Sequence, residues 1–176
     1  MEHEFIKGKK QIKDILSCQN CPFILTHKDN YALFGTGTIV ANTVLVVPYH
    51  DLNNNKNKDY DLVQILKDAH QALYGVAAEE NCYITVLPKC YNKKLNKYEA
   101  NEAAKSICID LLIAEIRYYC KYCTKIVVCD KMLFDCIEDK LNDVFPNIKI
   151  MYIPNPKQYI ISPAKYMEHL NKALND

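Results

Sequence analysis

Two cysteines near the N-terminus are the first residues whose spacing suggests chemistry. Cys18 and Cys21 are separated by two residues in the stretch SCQNC. Zinc sites, redox-active thiol pairs and iron–sulfur clusters all use this spacing, because two thiolates held this close can bind one metal centre. A four-thiolate site needs two more cysteines, and the chain holds nine in total. The pair therefore predicts half of a metal site.

Three of the remaining cysteines have the sequence context of core residues. Cys82 begins an apolar run, Cys129 ends another, and Cys136 falls on the apolar stripe of a helical pattern. Cysteine is often buried as a small hydrophobic residue, so we expect these three thiols to be packed in the core.

A second close pair offers one way to complete the site. Cys120 and Cys123, in YYCKYC, would combine with Cys18 and Cys21 to make a four-thiolate zinc site. This zinc site would stabilise an α/β domain without any connection to DNA.

The bulk composition predicts one globular domain, residues 1–176, in a reducing compartment. Hydrophobic residues make up 49% of the chain and charged residues 24%. No apolar run reaches the roughly 18 residues of a membrane span, and the charged start MEHEFIKGKKQIKD is unlike a signal peptide. We therefore expect a cytoplasmic or otherwise intracellular protein with no membrane partner. The formal net charge of +1 means that nucleic-acid binding would need a local basic patch.

Alternating apolar runs and amphipathic stretches define the elements that must position these residues. Strands are predicted at 31–35, 42–48, 82–87, 125–130 and 148–153. Helices are predicted at 3–16, about 60–74, 99–119, around 132–141, and from Pro163 to the end. This order predicts the α/β class, as a three-layer α/β/α sandwich with a central sheet of about four parallel strands. Ligands of such sheets bind outside the carboxyl ends of the strands.

The order of short motifs along nearly the whole chain resembles the iron–sulfur members of the uracil-DNA glycosylase superfamily. That family has a Cys-x2-Cys, a strand ending in Phe-Gly-x-Gly, a hydrophobic strand, a strand of the form Tyr-Ile-Thr-Asn-x-x-Lys-Cys, and a helix with a fourth cysteine. The corresponding stretches here are SCQNC (17–21), LFGTG (33–37), ANTVLVV (41–47), YITVLPKC (83–90) and SICIDLL (106–112). The resemblance implies a uracil-DNA glycosylase-like domain in which Cys18, Cys21, Cys90 and Cys108 hold a [4Fe-4S] cluster.

The same resemblance points to three strand ends for catalysis, where this chain departs from the family pattern. VPYHD (47–51) replaces Gly-Glu-Ala-Pro-Gly, which leaves His50 and Asp51 as candidates for a general base and a water-polarising group. Val86 replaces the asparagine that reads the uracil edge. Asn155 replaces the histidine that stabilises the departing uracil. We therefore expect uracil excision to be weak or lost.

Basic residues near these strand ends predict DNA contacts. Lys89, Lys93, Lys94 and Lys97 form a run beside the expected cluster, and Lys157 lies in a wedge-like loop with Tyr159 and Ile160. Lysines can bind phosphates, and an apolar or aromatic tip can fill a gap in the base stack.

Two functions of different classes follow from these observations. The first is a divergent DNA repair hydrolase of the glycosylase type that binds DNA. The second is a non-catalytic descendant of the same fold that serves as a replication-accessory or protein-binding subunit. The sequence leaves the oligomeric state and the target base open.

Overall fold

The computed structural model describes residues 34–48, 61–89 and 102–176, with side chains from residue 105 onward in the last range. These ranges contain five strands and six helices of an α/β fold. The strands are β1 (Thr36–Gly37), β2 (Thr43–Pro48), β3 (Cys82–Leu87), β4 (Lys125–Val128) and β5 (Lys149–Tyr152). The helices are α1 (Leu62–Tyr74), α2 (Ala78–Asn81), α3 (Glu102–Tyr119), α4 (Lys131–Val144), α5 (Lys157–Ile161) and α6 (Pro163–Asn175).

Within the described ranges the strands form one sheet in the order β1-β3-β2-β4-β5. Strands β2 to β5 are parallel, and the two-residue β1 pairs antiparallel with β3. Val44 of β2 is in register with Tyr83 of β3 on one side and with Ile126 of β4 on the other. The predicted set of about four parallel strands is confirmed, and β1 is an addition to it.

Helices cover both faces of the sheet because its central strands are apolar on both sides. Val44 and Val46 of β2 pack into a core shared with α3 and α4, whereas Leu45 and Val47 pack into a second core shared with α1 and α6. Successive strand residues point to opposite faces, so a continuous apolar run is buried only between two layers of helices. The fold is an α/β sandwich.

Local sequence signals fix the helix ends. The Asp61 side chain accepts hydrogen bonds from Val63 N at 3.0 Å and Gln64 N at 3.1 Å, which caps α1. Gly75 ends the same helix with φ of 74°, a left-handed conformation that favours glycine. Pro163 occupies the first turn of α6, as predicted.

Several predictions differ from the structure or lie outside it. Of the strand predicted at 31–35, residues 31–33 lie outside the described residues, residues 34 and 35 are not in a strand, and β1 follows at Thr36–Gly37. The short helices α2 and α5 were not predicted. Cys82 and Cys129 are buried as expected, but the prediction of a buried Cys136 is wrong. Helix α4 turns Phe134, Ile137 and Leu141 to the core and leaves Cys136 exposed. The helix predicted at 3–16 lies outside the described residues.

Candidate functional site

The strand order creates one switch point, between the carboxyl ends of β2 and β4. From β2 the chain enters α1 on one face of the sheet, and from β4 it enters α4 on the other face. Adjacent parallel strands whose connections leave in opposite directions open a crevice at their carboxyl ends, and ligands of α/β sheets bind there. We therefore take this edge as the candidate site.

Asp130 and Asn155 meet at this edge and are joined by a hydrogen bond. Asn155 Nδ2 donates to Asp130 Oδ2 at 2.9 Å. The other carboxylate oxygen, Asp130 Oδ1, accepts from Leu133 N at 2.9 Å and caps α4. Asn155 Oδ1 accepts from Lys157 N at 3.0 Å at the start of α5. The pair thus ties the first turns of two helices together.

This pairing changes what Asn155 can contribute to chemistry. One of its two amide N–H groups and its carbonyl oxygen are already engaged, so one N–H remains for a ligand. The partner Asp130 has a carboxylate within hydrogen-bond distance, and a carboxylate repels an anion that forms nearby. The arrangement is poorly suited to stabilising a departing uracil anion.

Val86 lies on the neighbouring strand end and presents no polar group. It is in register with Val47 near the end of β2, and it packs partly buried against the core on the α1 and α6 side. A valine side chain neither donates nor accepts a hydrogen bond. The end of β3 is therefore apolar at this position.

The predicted wedge-like loop is a short helix, α5, with an aliphatic tip. Tyr159 is half-buried and contacts the ring of Tyr166, with ring centroids 6.1 Å apart. Ile160 and Ile161 are instead 46% and 74% exposed. Lys157 is exposed at the first position of the helix. The exposed apolar tip is formed by the two isoleucines, and Tyr159 anchors the helix to the core.

Many predicted site residues lie outside the described ranges. They are Cys18, Cys21, His50, Asp51, Cys90, Lys93, Lys94 and Lys97. The structure describes the other candidates, which are Val86, Lys89, Cys108, Cys120, Cys123, Asn155, Lys157, Tyr159 and Ile160. The roles predicted for the residues outside the described ranges stay predictions.

A second polar cluster is buried between β3 and α3, away from solvent. Glu115 is fully buried, and Lys89, which is 1% exposed, forms an ion pair with its Oε2. Thr85 Oγ1 donates to the same oxygen at 2.9 Å. Tyr83 OH and Gly35 N donate to Glu115 Oε1 at 2.9 Å and 2.6 Å. We call these five residues the Glu115 network.

The charges of this network depend on one another. Burial lowers the pKa of the Lys89 ammonium, and the adjacent Glu115 carboxylate opposes this shift. Burial together with the same carboxylate raises the pKa of the Tyr83 hydroxyl, which therefore stays a neutral donor. A buried ion pair is stable only when further hydrogen bonds satisfy the remaining lone pairs, and four donors surround Glu115 here.

Gly35 reaches this carboxylate because it has no side chain. A Cβ at this position would lie 2.4 Å from Ile84 O and 2.7 Å from the Tyr83 ring. Any other residue would push the segment away from β3 and lengthen the Gly35 N to Glu115 hydrogen bond. Gly37 is constrained in the same way, with φ of 124° and a virtual Cβ 2.1 Å from Cys82 O.

Sequence reasoning missed the Glu115 network, although a signal was present. The prediction that Lys89 contacts phosphates with the neighbouring lysines is wrong, because its side chain is buried against Glu115. Glu115 interrupts the apolar stripe that contains Leu112 and Ile116, and both of these residues are buried. An acidic residue on the buried side of a helix calls for a cationic or donor partner.

The described cysteines divide by their surroundings. Cys108 on α3 is 2% exposed and Cys120 is 4% exposed, so both thiols are buried. Burial raises the pKa of the Cys120 thiol to about 12 and raises that of Cys123. Cys123 Sγ donates to Lys125 O at 3.2 Å.

Among residues 34–48, 61–89 and 102–176, no three His, Cys, Asp or Glu side chains are grouped to hold a metal ion.

A small pocket lies at the opposite edge of the sheet, at the amino ends of β2 and β3. Its volume is about 160 Å³, and its lining includes Thr43, His70, Tyr74 and Cys82. His70 is buried, and Nδ1 lies 3.2 Å from Val76 O, which assigns the proton to Nδ1. Burial lowers the pKa of His70. This edge is not where parallel sheets bind their ligands.

Comparisons with known proteins do not assign the chain to a family. No protein-family model matches it, and no curated protein matches it. In the part of the chain that the structure describes, no helix is both long enough and apolar enough to cross a membrane.

Proposed function

We propose that this protein is an iron–sulfur member of the uracil-DNA glycosylase superfamily that binds DNA and has weak or no uracil-excision activity. The observation that carries the proposal is the Glu115 network. Gly35 belongs to LFGTG, and Thr85 and Lys89 belong to YITVLPKC, which are two of the five stretches that carry the resemblance. The Gly35 amide and the Thr85 and Lys89 side chains all contact the Glu115 carboxylate. Residues of both stretches thus share one buried partner, and this supports the proposal.

The proposed cluster ligands are Cys18, Cys21, Cys90 and Cys108. Cys108 is buried on α3, the helix that also carries Glu115, and Cys90 directly follows Lys89, the partner of Glu115, in the sequence. When bound, a cluster held by four thiolates serves as a cross-link between distant segments, which lowers the entropy of the unfolded chain. Cysteines kept reduced as metal ligands are typical of a reducing, intracellular compartment.

The proposed DNA-binding surface combines Lys93, Lys94 and Lys97 with the exposed face of α5. Lys157 would contact phosphate, and the isoleucine tip of α5 would contact bases or sugars. The apolar tip lies at the carboxyl edge of the sheet, where the switch point also lies. DNA would thus approach the edge that holds Asp130 and Asn155.

Weak excision follows from the chemistry of this edge. Val86 presents no hydrogen-bonding group, and Asn155 is bonded to a carboxylate. Losing one donor that stabilises developing negative charge typically costs about 100- to 1,000-fold in rate. His50 and Asp51 remain the proposed candidates for any residual catalysis.

A single set of assays tests both halves of the proposal. Native protein and a Val86→Asn, Asn155→His double variant are incubated with single-stranded and mismatched uracil DNA, and abasic sites are quantified. Binding of the same DNA is followed by mobility shift, and we expect both proteins to bind. We expect no detectable cleavage by the native chain and measurable cleavage by the variant. Efficient cleavage by the native chain would contradict the expected loss of activity. Absence of any mobility shift at low salt would refute DNA binding.

A non-catalytic accessory or protein-binding subunit is the second candidate. The engagement of Asn155 by Asp130 and Lys157 favours it, since a residue used to join two helices is a structural residue. DNA binding without cleavage by either protein above would favour this candidate. Co-purification of a DNA-replication or repair partner that is lost in an Ile160→Asp, Ile161→Asp variant would support the protein-binding form.

A further inference from the structure

Strand β5 lies at one end of the described sheet, and part of its backbone is open to a further strand. The N–H groups of Lys149 and Ile153 both donate toward the β4 side, each at 2.9 Å. Consecutive residues of a strand direct their backbone groups to opposite sides, so Ile150 and Tyr152 direct theirs away from β4. Among the described residues, none forms a hydrogen bond with these outward groups.

The open stretch of β5 has a defined length. Ile148 and Pro154 are the next residues on either side that would direct their backbone groups outward. Ile148 N already donates to Phe145 O at 3.0 Å, and proline has no N–H group. Within the described chain, an incoming strand would therefore find two free donors on this edge, those of Ile150 and Tyr152.

The side chains along the open stretch are apolar and incompletely covered. Tyr152 is 45% exposed, and Ile150 and Met151 are partly buried against the two cores. Edge strands are often protected from further pairing by a lysine. Here the charge of Lys149 is directed elsewhere, because its Nζ donates to Asp176 O at the end of α6 at 3.2 Å. The edge is thus suited to receive another strand.

We propose that β5 is the interface of a symmetric homodimer, in which two copies pair antiparallel and join their sheets. Ile150 of each copy exchanges backbone hydrogen bonds with Tyr152 of the other, and Met151 faces its own counterpart across the two-fold axis. An aromatic side chain opposite a β-branched one is a favourable cross-strand pair. Such a two-fold interface closes on itself and does not propagate into a fibre.

The free donors select this register and favour a second copy as the partner. A slide of two residues in one direction would place Tyr152 opposite Ile148, whose N–H is already bonded. The same slide in the other direction would place Ile150 opposite Pro154, which has no N–H. In the proposed register both free donors of each copy find acceptors, and Lys149 lies opposite an isoleucine, so that no like charges meet.

The first test separates the backbone of position 152 from its side chain. Tyr152→Pro and Tyr152→Ala both remove the ring, but only the proline removes the outward N–H. The dimer dissociation constant is measured by sedimentation equilibrium, and circular dichroism follows the fold. We expect native protein to be a concentration-dependent dimer, and Tyr152→Pro to dimerise about 10- to 100-fold more weakly than Tyr152→Ala, because two hydrogen bonds are lost across the axis.

The second test reads the register directly and does not depend on the proline variant folding. Opposed residues of a non-hydrogen-bonded antiparallel pair have Cα atoms about 4.5 Å apart, which a disulfide can bridge. Met151→Cys, in a Cys136→Ser background that removes an exposed thiol, is oxidised with oxidised glutathione. We expect a covalent dimer with a disulfide between the two positions 151, found by mass spectrometry. Tyr122→Cys in the same background is the control, because Tyr122 is 67% exposed and lies outside β5.

Three results would overturn the proposal. They are a native protein that stays monomeric up to about 1 mM, equal dimer affinities in Tyr152→Pro and Tyr152→Ala, and a Met151→Cys variant that cross-links no more than Tyr122→Cys.

Discussion

The Glu115 network and the Asp130–Asn155 pair are two polar clusters of the same sheet with opposite surroundings. The first is sealed between β3 and α3, and four donors surround its carboxylate. The second lies partly exposed at the carboxyl edge of β4 and β5, where one carboxylate oxygen caps α4 and the other holds Asn155. A sealed, fully satisfied cluster fixes structure, whereas an open one at the switch point remains available to a ligand.

The two clusters therefore have different roles, because the sealed one joins β3 to α3 and the open one lies where a ligand could bind. The motif residues Gly35, Thr85 and Lys89 build the sealed cluster, on which the fold depends. Val86 and Asn155 lie at the open edge and belong to no sealed polar network in the described part of the chain. Such an edge can lose a reaction while the fold is retained.

The largest effect should come from breaking the sealed cluster. Glu115→Ala leaves the Lys89 ammonium buried without its partner, and we expect a loss of about 3–5 kcal/mol in the free energy of unfolding. Urea unfolding followed by circular dichroism measures this loss. The control Asp110→Ala removes an exposed ion pair of the same helix and should cost about 1 kcal/mol or less. Equal losses in the two variants would show that Glu115 is no more important than a surface residue.

A smaller effect is expected at the open edge. Asp130→Ala removes the α4 cap and the bond to Asn155, and we expect it to cost about 1–2 kcal/mol in urea unfolding. Asp130→Asn removes the charge and keeps the capping oxygen but places an NH2 against Asn155 Nδ2, so it should cost less stability than Asp130→Ala while DNA affinity at low salt rises. A fall in DNA affinity for Asp130→Asn would contradict the placement of DNA at this edge.

Sequence patterns predicted the parallel sheet because buried parallel strands are continuous apolar runs with clear boundaries. The predicted strand at 82–87 is β3, and Gly75 and Pro163 marked helix ends correctly. Side-chain pairings were not predictable in the same way. Lys89 and Glu115 are 26 residues apart, and periodicity reveals neither their contact nor the burial of Lys89. The bond between Asp130 and Asn155 likewise depends on the tertiary fold.

The pH dependence of stability distinguishes a sealed group from an exposed one. His70 is buried and its pKa in the folded protein lies below 6.5, the value of an unperturbed histidine. As the pH falls below 6.5, His70 binds a proton in the unfolded chain but stays neutral in the folded protein. The free energy of unfolding should therefore fall with pH until the pKa of folded His70 is reached. His70→Gln should flatten this part of the stability profile. The exposed His169→Gln should leave the native profile unchanged.

The smallest effect concerns one phosphate contact at the open edge. Lys157→Ala should reduce the slope of log affinity for DNA against log salt concentration by about 1, with no change in urea unfolding. Lys165→Ala serves as the matched control, because Lys165 is exposed on α6. Equal slopes in native protein and Lys157→Ala would remove α5 from the DNA-binding surface.

A comparison of metal content tests the central claim most directly. The proteins, all purified anaerobically, are the native chain, Cys108→Ser and Cys120→Ser. We predict about four iron atoms per native chain, the same iron content in Cys120→Ser, and a marked loss of iron in Cys108→Ser. Zinc in the native chain that is lost in Cys120→Ser and kept in Cys108→Ser would contradict the cluster and establish the four-thiolate zinc site instead.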